Sequence, residues 1–256
     1  MFKDLVRQFN IIMALAIHDL QGQMKNYNYG FAWMLLEPLI YIVGFRVMRK
    51  FLGGLANPPG MTPLMFYVTA VFTIYVFSQG MAGGRSAARP SSMLLFPRVS
   101  QLDVALSKAI SHGAIELTLF MIIAPPIALY EGAYPPQNIG MVLFALAMAW
   151  VIGLGVGFTL SAAMRVFPPT IQFAGYAMFG IRMASGMFFC VLQLPPALWP
   201  YLAWNPLLHC TEMARDGWFA GYTSPIASPM YTLDCALGFL LLGLSVERFM
   251  RRVPYV

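Results

Sequence analysis

Four ionisable side chains lie in stretches that are otherwise apolar: Glu37, Glu116, Arg182 and Asp234. A charge at the centre of a bilayer costs about 2.5–3.5 kcal/mol on insertion scales, so such groups face a bundle interior or a watery path, and they often pair. Arg182 with Glu116 or Asp234 is the pairing the sequence offers. Arg182, in the middle of an apolar run, is also a candidate luminal or gating cation. Glu37 and Asp234 fall near the ends of their runs, where a carboxylate can snorkel to the interface. Enzymatic chemistry has less to work with. Ser185-Gly186 in RMASGMFF offers a hydroxyl on a helix, with His112 or His209 as its base. A Gly-x-Ser-Gly nucleophile needs glycine two residues before the serine, and Met183 stands there. Small residues in a span more often serve helix packing. Histidines form no metal-type cluster. Cys190, Cys210 and Cys235 have neither metal-ligand nor disulfide spacing and read as small packing residues. There is no Walker phosphate loop, so ATP hydrolysis is not expected of this chain alone.

Other residues suggest grip rather than reaction. Arg85, Arg89 and Arg98 lie in the basic loop GGRSAARPSSMLLFPRVSQLD, which has prolines at 90 and 97. That loop is either ordinary cytoplasmic positive charge or a contact surface for an anionic glycolipid head or an energising partner. Aromatics crowd residues 27–77, Trp33 and Tyr41 among them. They suit an interfacial belt, or a lining on which sugar rings slide, since an aromatic face attracts pyranose C–H groups without fixing a register. Further on, Asn205 can cap a helix whose first residue is Pro206. His209, Glu212 and Arg215 or Asp216 then share one face of that helix.

The elements that position these groups follow from composition. The chain has 256 residues, 59% hydrophobic and only 10% charged, where a soluble domain carries about 25% charged residues. A bilayer core about 30 Å thick needs about 20 helical residues. Spans are predicted at 30–51, 63–83, 104–130, 138–163, 171–193 and 228–247. An amphipathic stretch over 2–27, with Phe2, Leu5, Phe9, Ile12 and Ala16 at helical spacing, reads as a helix lying in the interface. The segment 194–225 is aromatic-rich but broken by proline and charge, and two short helices that dip into the membrane and return fit it best. The expected fold is therefore all-α and integral to the membrane. Residues 1–256 form one transmembrane domain: 1–28 interfacial, 30–193 spans one to five, 194–225 re-entrant, 228–247 span six. Six crossings place both termini on one side. With that side inside, the inner cations (Lys3, Arg7, Lys25, Arg85, Arg89, Arg98, Lys108, Arg165, Arg248, Arg251, Arg252) outnumber the outer ones (Arg46, Arg49, Lys50, Arg215). This favours cytoplasmic termini, although the cluster Arg46, Arg49, Lys50 runs against it. The net charge of +6 fits basic loops facing anionic headgroups rather than nucleic acid.

Several of these pieces recur together in order. Tyr29-Gly30-Phe31-Ala32-Trp33-Met34-Leu35-Leu36-Glu37-Pro38 opens the first span. Met93-Leu94-Leu95-Phe96-Pro97-Arg98 precedes the third and Val166-Phe167-Pro168 the fifth. Trp204-Asn205-Pro206-Leu207-Leu208-His209, with Glu212 and Gly221-Tyr222, precedes the sixth. Nearly the whole chain resembles the membrane subunit of type-2 ABC exporters, most closely those that export capsular polysaccharide. The resemblance implies a homodimer in the bacterial inner membrane, paired with two separate ATP-binding subunits that hold ATP and Mg, with no cofactor in this chain. It also implies periplasmic co-polymerase and outer-membrane partners. A pore would form between protomers, mainly from the first and fifth spans, and pass a lipid-linked acidic polysaccharide. On that view Arg85, Arg89, Arg98, Arg182, Trp33 and Tyr41 line the substrate path. Asn205, Pro206, His209 and Glu212 form a helix over the exit. Leu95, Phe96, Pro97 and Asp103 couple to the ATPase. One departure is that QGQMKNYNYG, before the first span, carries only Lys25 where the family has several cations, leaving entry to Arg85, Arg89 and Arg98. The alternatives are an ABC exporter of O-antigen, teichoic-acid-like polymer, drug or lipid; an intramembrane enzyme acting on lipid-linked sugar; and a membrane scaffold.

Overall fold

A computed structural model describes residues 2–25, 30–51, 60–88, 92–95 and 99–250, and its regular elements are helical. In chain order they are α1 (Phe2–Lys25), α2 (Gly30–Phe51), α3 (Pro63–Arg85), α4 (Gln101–Tyr130), α5 (Ile139–Val166), α6 (Thr170–Met183), α7 (Trp199–Leu202), α8 (Pro206–Trp218) and α9 (Pro229–Met250), with short 3-10 turns between some of them. Among the described residues, four segments are long and apolar enough to cross a membrane: Pro63–Ala88, Gln101–Tyr130, Ile139–Val166 and Pro229–Met250.

α3 is the axis of the bundle. It packs against α2, α4, α5 and α8, and α5 packs in turn on α9. Small residues allow this close approach. Gly80 and Gly84 of α3 face Gly153 and Gly157 of α5 so closely that an added Cβ would meet the opposing backbone. Without a hydrophobic drive between helices in lipid, such backbone proximity supplies the dispersion that holds spans together. Gly155 and Gly243 repeat the arrangement between α5 and α9. Trp150 spans the next gap, its Nε1 donating to the Ala109 carbonyl at 3.0 Å.

Polar contacts hold each end of the bundle. At one end, Glu131, just beyond α4, accepts from the Leu64 and Met65 amides at the start of α3 (2.8–3.0 Å) and from Arg46 at the end of α2 (3.0 Å). A carboxylate there satisfies amides a helix N-terminus leaves open. Arg46, one of the cations that ran against the charge rule, is thus neutralised locally. The Asn138 amide donates to Gly217 O at 2.8 Å, bringing the start of α5 to the end of α8. At the opposite end, Arg165 of α5 pairs with Glu247 of α9 at 3.1 Å, both side chains almost fully buried, and also donates to Ala87 O and Gln101 Oε1. The chain direction therefore alternates: α3, α5 and α9 run one way, α2 and α4 the other.

α1 lies against the first half of α4. Gln8 donates to Asp103 at 2.5 Å, and Asp19 accepts from the Ser111 hydroxyl at 2.6 Å with His112 at 3.7 Å. Leu15 is buried in a small core with Met93 and Val104.

Two expectations need correction. The run expected to span 171–193 is helical only over Thr170–Met183, 14 residues or about 21 Å at 1.5 Å per residue. Gly186 then adopts φ +78°, a conformation that favours glycine. Arg182 consequently sits in the last turn of α6 rather than at mid-span. The segment before α9 does form short helices, α7 and α8, divided at Asn205.

Candidate translocation site

Polar side chains meet in the middle of the bundle, where α2, α3, α4 and α6 converge. The Tyr75 hydroxyl donates to Glu37 at 3.1 Å. One turn further along α3, Gln79 Nε2 donates to the buried Glu116 at 2.9 Å. Tyr41, one turn from Glu37 on α2, meets Tyr75 edge to face with centroids 6.0 Å apart. The Phe45–Phe188 contact at 5.0 Å joins α2 to the segment after α6. Arg182 completes the group from α6, with the Tyr75 and Tyr41 phenols as its ionisable neighbours. The expected pairing of Arg182 with Glu116 or Asp234 does not form: Glu116 takes Gln79 as its partner, Asp234 is exposed, and Arg182 Nε is buried without a hydrogen bond. Glu37 is half-buried and held by Tyr75 rather than snorkelling to an interface.

This cluster borders an uncovered face. Trp33 and Tyr41 of α2 are exposed, and no residue of α6 is fully buried. Phe173, Tyr176 and Phe179 recur every third residue along α6, Tyr176 being 80% exposed, and the row leads to Arg182. Behind α6, an apolar cavity of about 240 Å³, lined by Val156, Leu160, Met178 and Ile181 among others, opens between α5, α8 and α9. α6 is thus loosely held along its length and fixed mainly at its end.

That end is fixed by the Asn-Pro motif. Asn205 Oδ1 accepts the Leu207 amide at 3.1 Å, the expected cap, with Pro206 in the first turn. Its Nδ2 donates to Ser185 Oγ at 3.0 Å. Thr211 Oγ1 donates to Ser185 O at 2.7 Å. Arg215 donates to the carbonyls of Phe189 (2.9 Å) and Gly186, and to Glu212 at 2.9 Å, while its guanidinium stacks on Phe66, 4.0 Å from the ring centroid. Glu212 also accepts from the hydroxyls of Tyr222 and Ser224. Burial and the Glu212 carboxylate push the Tyr222 phenol upward, so it stays a donor. His209 donates through Nε2 to Ala203 O at 2.7 Å and rests on the Tyr231 ring. Burial lowers its proton affinity. Asn205, His209, Glu212 and Arg215 are all buried. The side chains of the motif therefore work inward, clamping the turn after α6.

The remaining predicted residues divide. Arg85 lies in the last turn of α3. Asp103 forms a capping box with Ser100 and also receives Gln8 of α1, so one carboxylate joins α1 to α4. Leu95 closes the 3-10 turn Ser92–Leu95. Arg89, Phe96, Pro97 and Arg98 lie outside the described residues. Sequence reasoning missed Gln79, Glu131 and Glu247 and counted Tyr75 only among many aromatics. For Glu247 a signal existed: a carboxylate and Arg165 at the same predicted end of two spans.

Apolar helices of spanning length, with a polar seam between them and an uncovered aromatic face, mark a multi-pass membrane protein. The profile of the ABC-2 type transporter family matches residues 11–219, and the chain belongs to that family of transport components. It is 26% identical over 253 residues to the capsule polysaccharide export inner-membrane protein CtrC of Neisseria meningitidis serogroup A, covering 98% of this chain and 95% of the relative. It is 25% identical to the protein of the same description, BexB, of Haemophilus influenzae, covering 98% and 95%. To the polysialic acid transport protein KpsM of Escherichia coli it is 21% identical, covering 93% and 92%.

Proposed function

We propose that this chain is the transmembrane subunit of an ATP-driven exporter that moves lipid-linked capsular polysaccharide across the bacterial inner membrane. The relatives' names support the substrate class, and family membership supports the transport role. The carrying observation is the uncovered face of α2 and α6, where an aromatic row ends at a cation amid hydrogen-bonded polar groups. Two copies meeting through α2 and α6 would enclose a passage with aromatic walls, on which a polymer slides without fixed register. Six crossings, with α2 and α6 added to the four long apolar segments, bring both termini to the cytoplasm. The end bearing Arg85, Arg165 and Arg248 is then cytoplasmic, in keeping with the positive-inside rule. Separate ATP-binding subunits there carry ATP and Mg and push through α1 and the residues around Leu95–Asp103; the Gln8–Asp103 bond gives that push a route into α4. Arg85, Arg89 and Arg98 receive the substrate head, and periplasmic and outer-membrane proteins carry the polymer onward.

Deletion of this gene should abolish surface capsule while leaving polymer inside the cell, and the purified chain should bring an ATPase with it whose turnover rises with added glycolipid. Normal surface capsule in the deletion strain would refute the assignment.

A further inference from the structure

Two buried arginines of the bundle are matched by carboxylates: Arg165 by Glu247 and Arg215 by Glu212. Arg182 is not. Its Nε is buried without a hydrogen bond, as are those of Arg165 and Arg215, but its ionisable neighbours are phenols, and the two carboxyl groups of the cluster are occupied by Tyr75 and Gln79. The segment after α6 is clamped by Asn205, Thr211 and Arg215, so Arg182 is held at a fixed place at the head of the Phe173–Tyr176–Phe179 row. A guanidinium set among phenols without a carboxylate partner is a poor packing element and a good receptor. Its planar fork matches a carboxylate or phosphate with two parallel hydrogen bonds.

We propose that Arg182 is the specificity-determining position of the passage, pairing with an anionic group on the moving polymer. This rests on the polysaccharide-export reading above and goes further: the aromatic row holds any sugar, and Arg182 selects chains bearing negative charge. The anion is a carboxylate on the sugars or a phosphate in the lipid linker.

The test uses the complete transporter with its ATPase in proteoliposomes and reads polymer-stimulated ATP hydrolysis. The probes are a lipid-phosphate-linked carboxylated polymer, the same polymer with its carboxyls reduced to alcohols, and the carboxylated polymer on a phosphate-free lipid. Where carboxylates are read, Arg182→Gln raises the half-saturating concentration of both carboxylated probes about tenfold relative to the reduced one, and Arg182→Lys recovers part of that loss. Where phosphate is read, the penalty falls on the two phosphate-bearing probes instead. An equal penalty on all three, or none on any, overturns the proposal while the exporter assignment stands. A wild-type complex that responds to no probe refutes the export reading itself.

Discussion

Arg215 shows how one buried cation can hold several chain segments. Both it and Glu212 have side chains with no exposure, and its two terminal nitrogens also reach carbonyls on the segment after α6. Removing one partner of such a pair strands the other charge, at a cost of about 3–5 kcal/mol. Arg215→Ala is therefore expected to lower the thermal midpoint of the detergent-purified protein sharply. Adding Glu212→Gln should return part of the loss, because no unmatched carboxylate then remains; strictly additive losses in this cycle would speak against the pairing. Asn205→Ala removes both a cap and the bond to Ser185, and the cap alone is worth about 1 kcal/mol. A smaller drop in the same assay, with the fold retained, is expected. These two residues also mark what sequence could and could not say. The cap was legible because it depends only on Asn205, Pro206 and the next two amides. The reach of Arg215 was not, because its acceptors are backbone carbonyls more than twenty residues earlier, and carbonyls carry no sequence signature.

Among elements, α3 and α5 depend most on what is missing from their surfaces. A Cβ on Gly153 would overlap the Phe77 carbonyl, whereas one on Gly175 or Gly180 in α6 meets nothing. Gly153→Ala should reduce the yield of folded, detergent-stable protein, and Gly175→Ala should leave it unchanged or slightly improved, since alanine favours helix over glycine by about 1 kcal/mol. Fluorescence-detected size-exclusion profiles of the two variants make the comparison. The helical content and most helix boundaries followed from apolar run length. The end of α6 did not, because residues 184–193 are as apolar as those before them. The helix stops there because Gly186 turns out of helical geometry and α8 captures the freed carbonyls. Charge pairing was likewise illegible in detail: Arg165 and Glu247 stand far apart in sequence, and only the antiparallel return of α6 brings their helices parallel.

For the whole molecule, the homodimer proposed above would meet through the uncovered face of α2 and α6. In a Cys235→Ser background, with Cys190 and Cys210 buried, Tyr176→Cys should join two copies under mild oxidation, seen as a dimer band on a non-reducing gel. Leu241→Cys, exposed on α9, should stay monomeric because that helix lies outside the proposed interface. The opposite pattern would move the interface to α9 and with it the passage. The sequence reading reached α2 and α6 by resemblance. The structure adds that no residue of α6 is fully buried in a single chain and that its aromatic row is exposed.

The shortness of α6 shapes the route as well. At 14 residues it covers about 21 Å of a hydrocarbon layer about 30 Å deep. In the dimer proposed above, two such helices would form a throat along only part of the thickness, and the far third would flare, walled by the fixed turn beyond Gly186. A chain drawn through would feel drag only in the throat. Its leading sugars would spread freely before reaching the far surface, so the motor need overcome the friction of a few residues at a time, however long the polymer has grown.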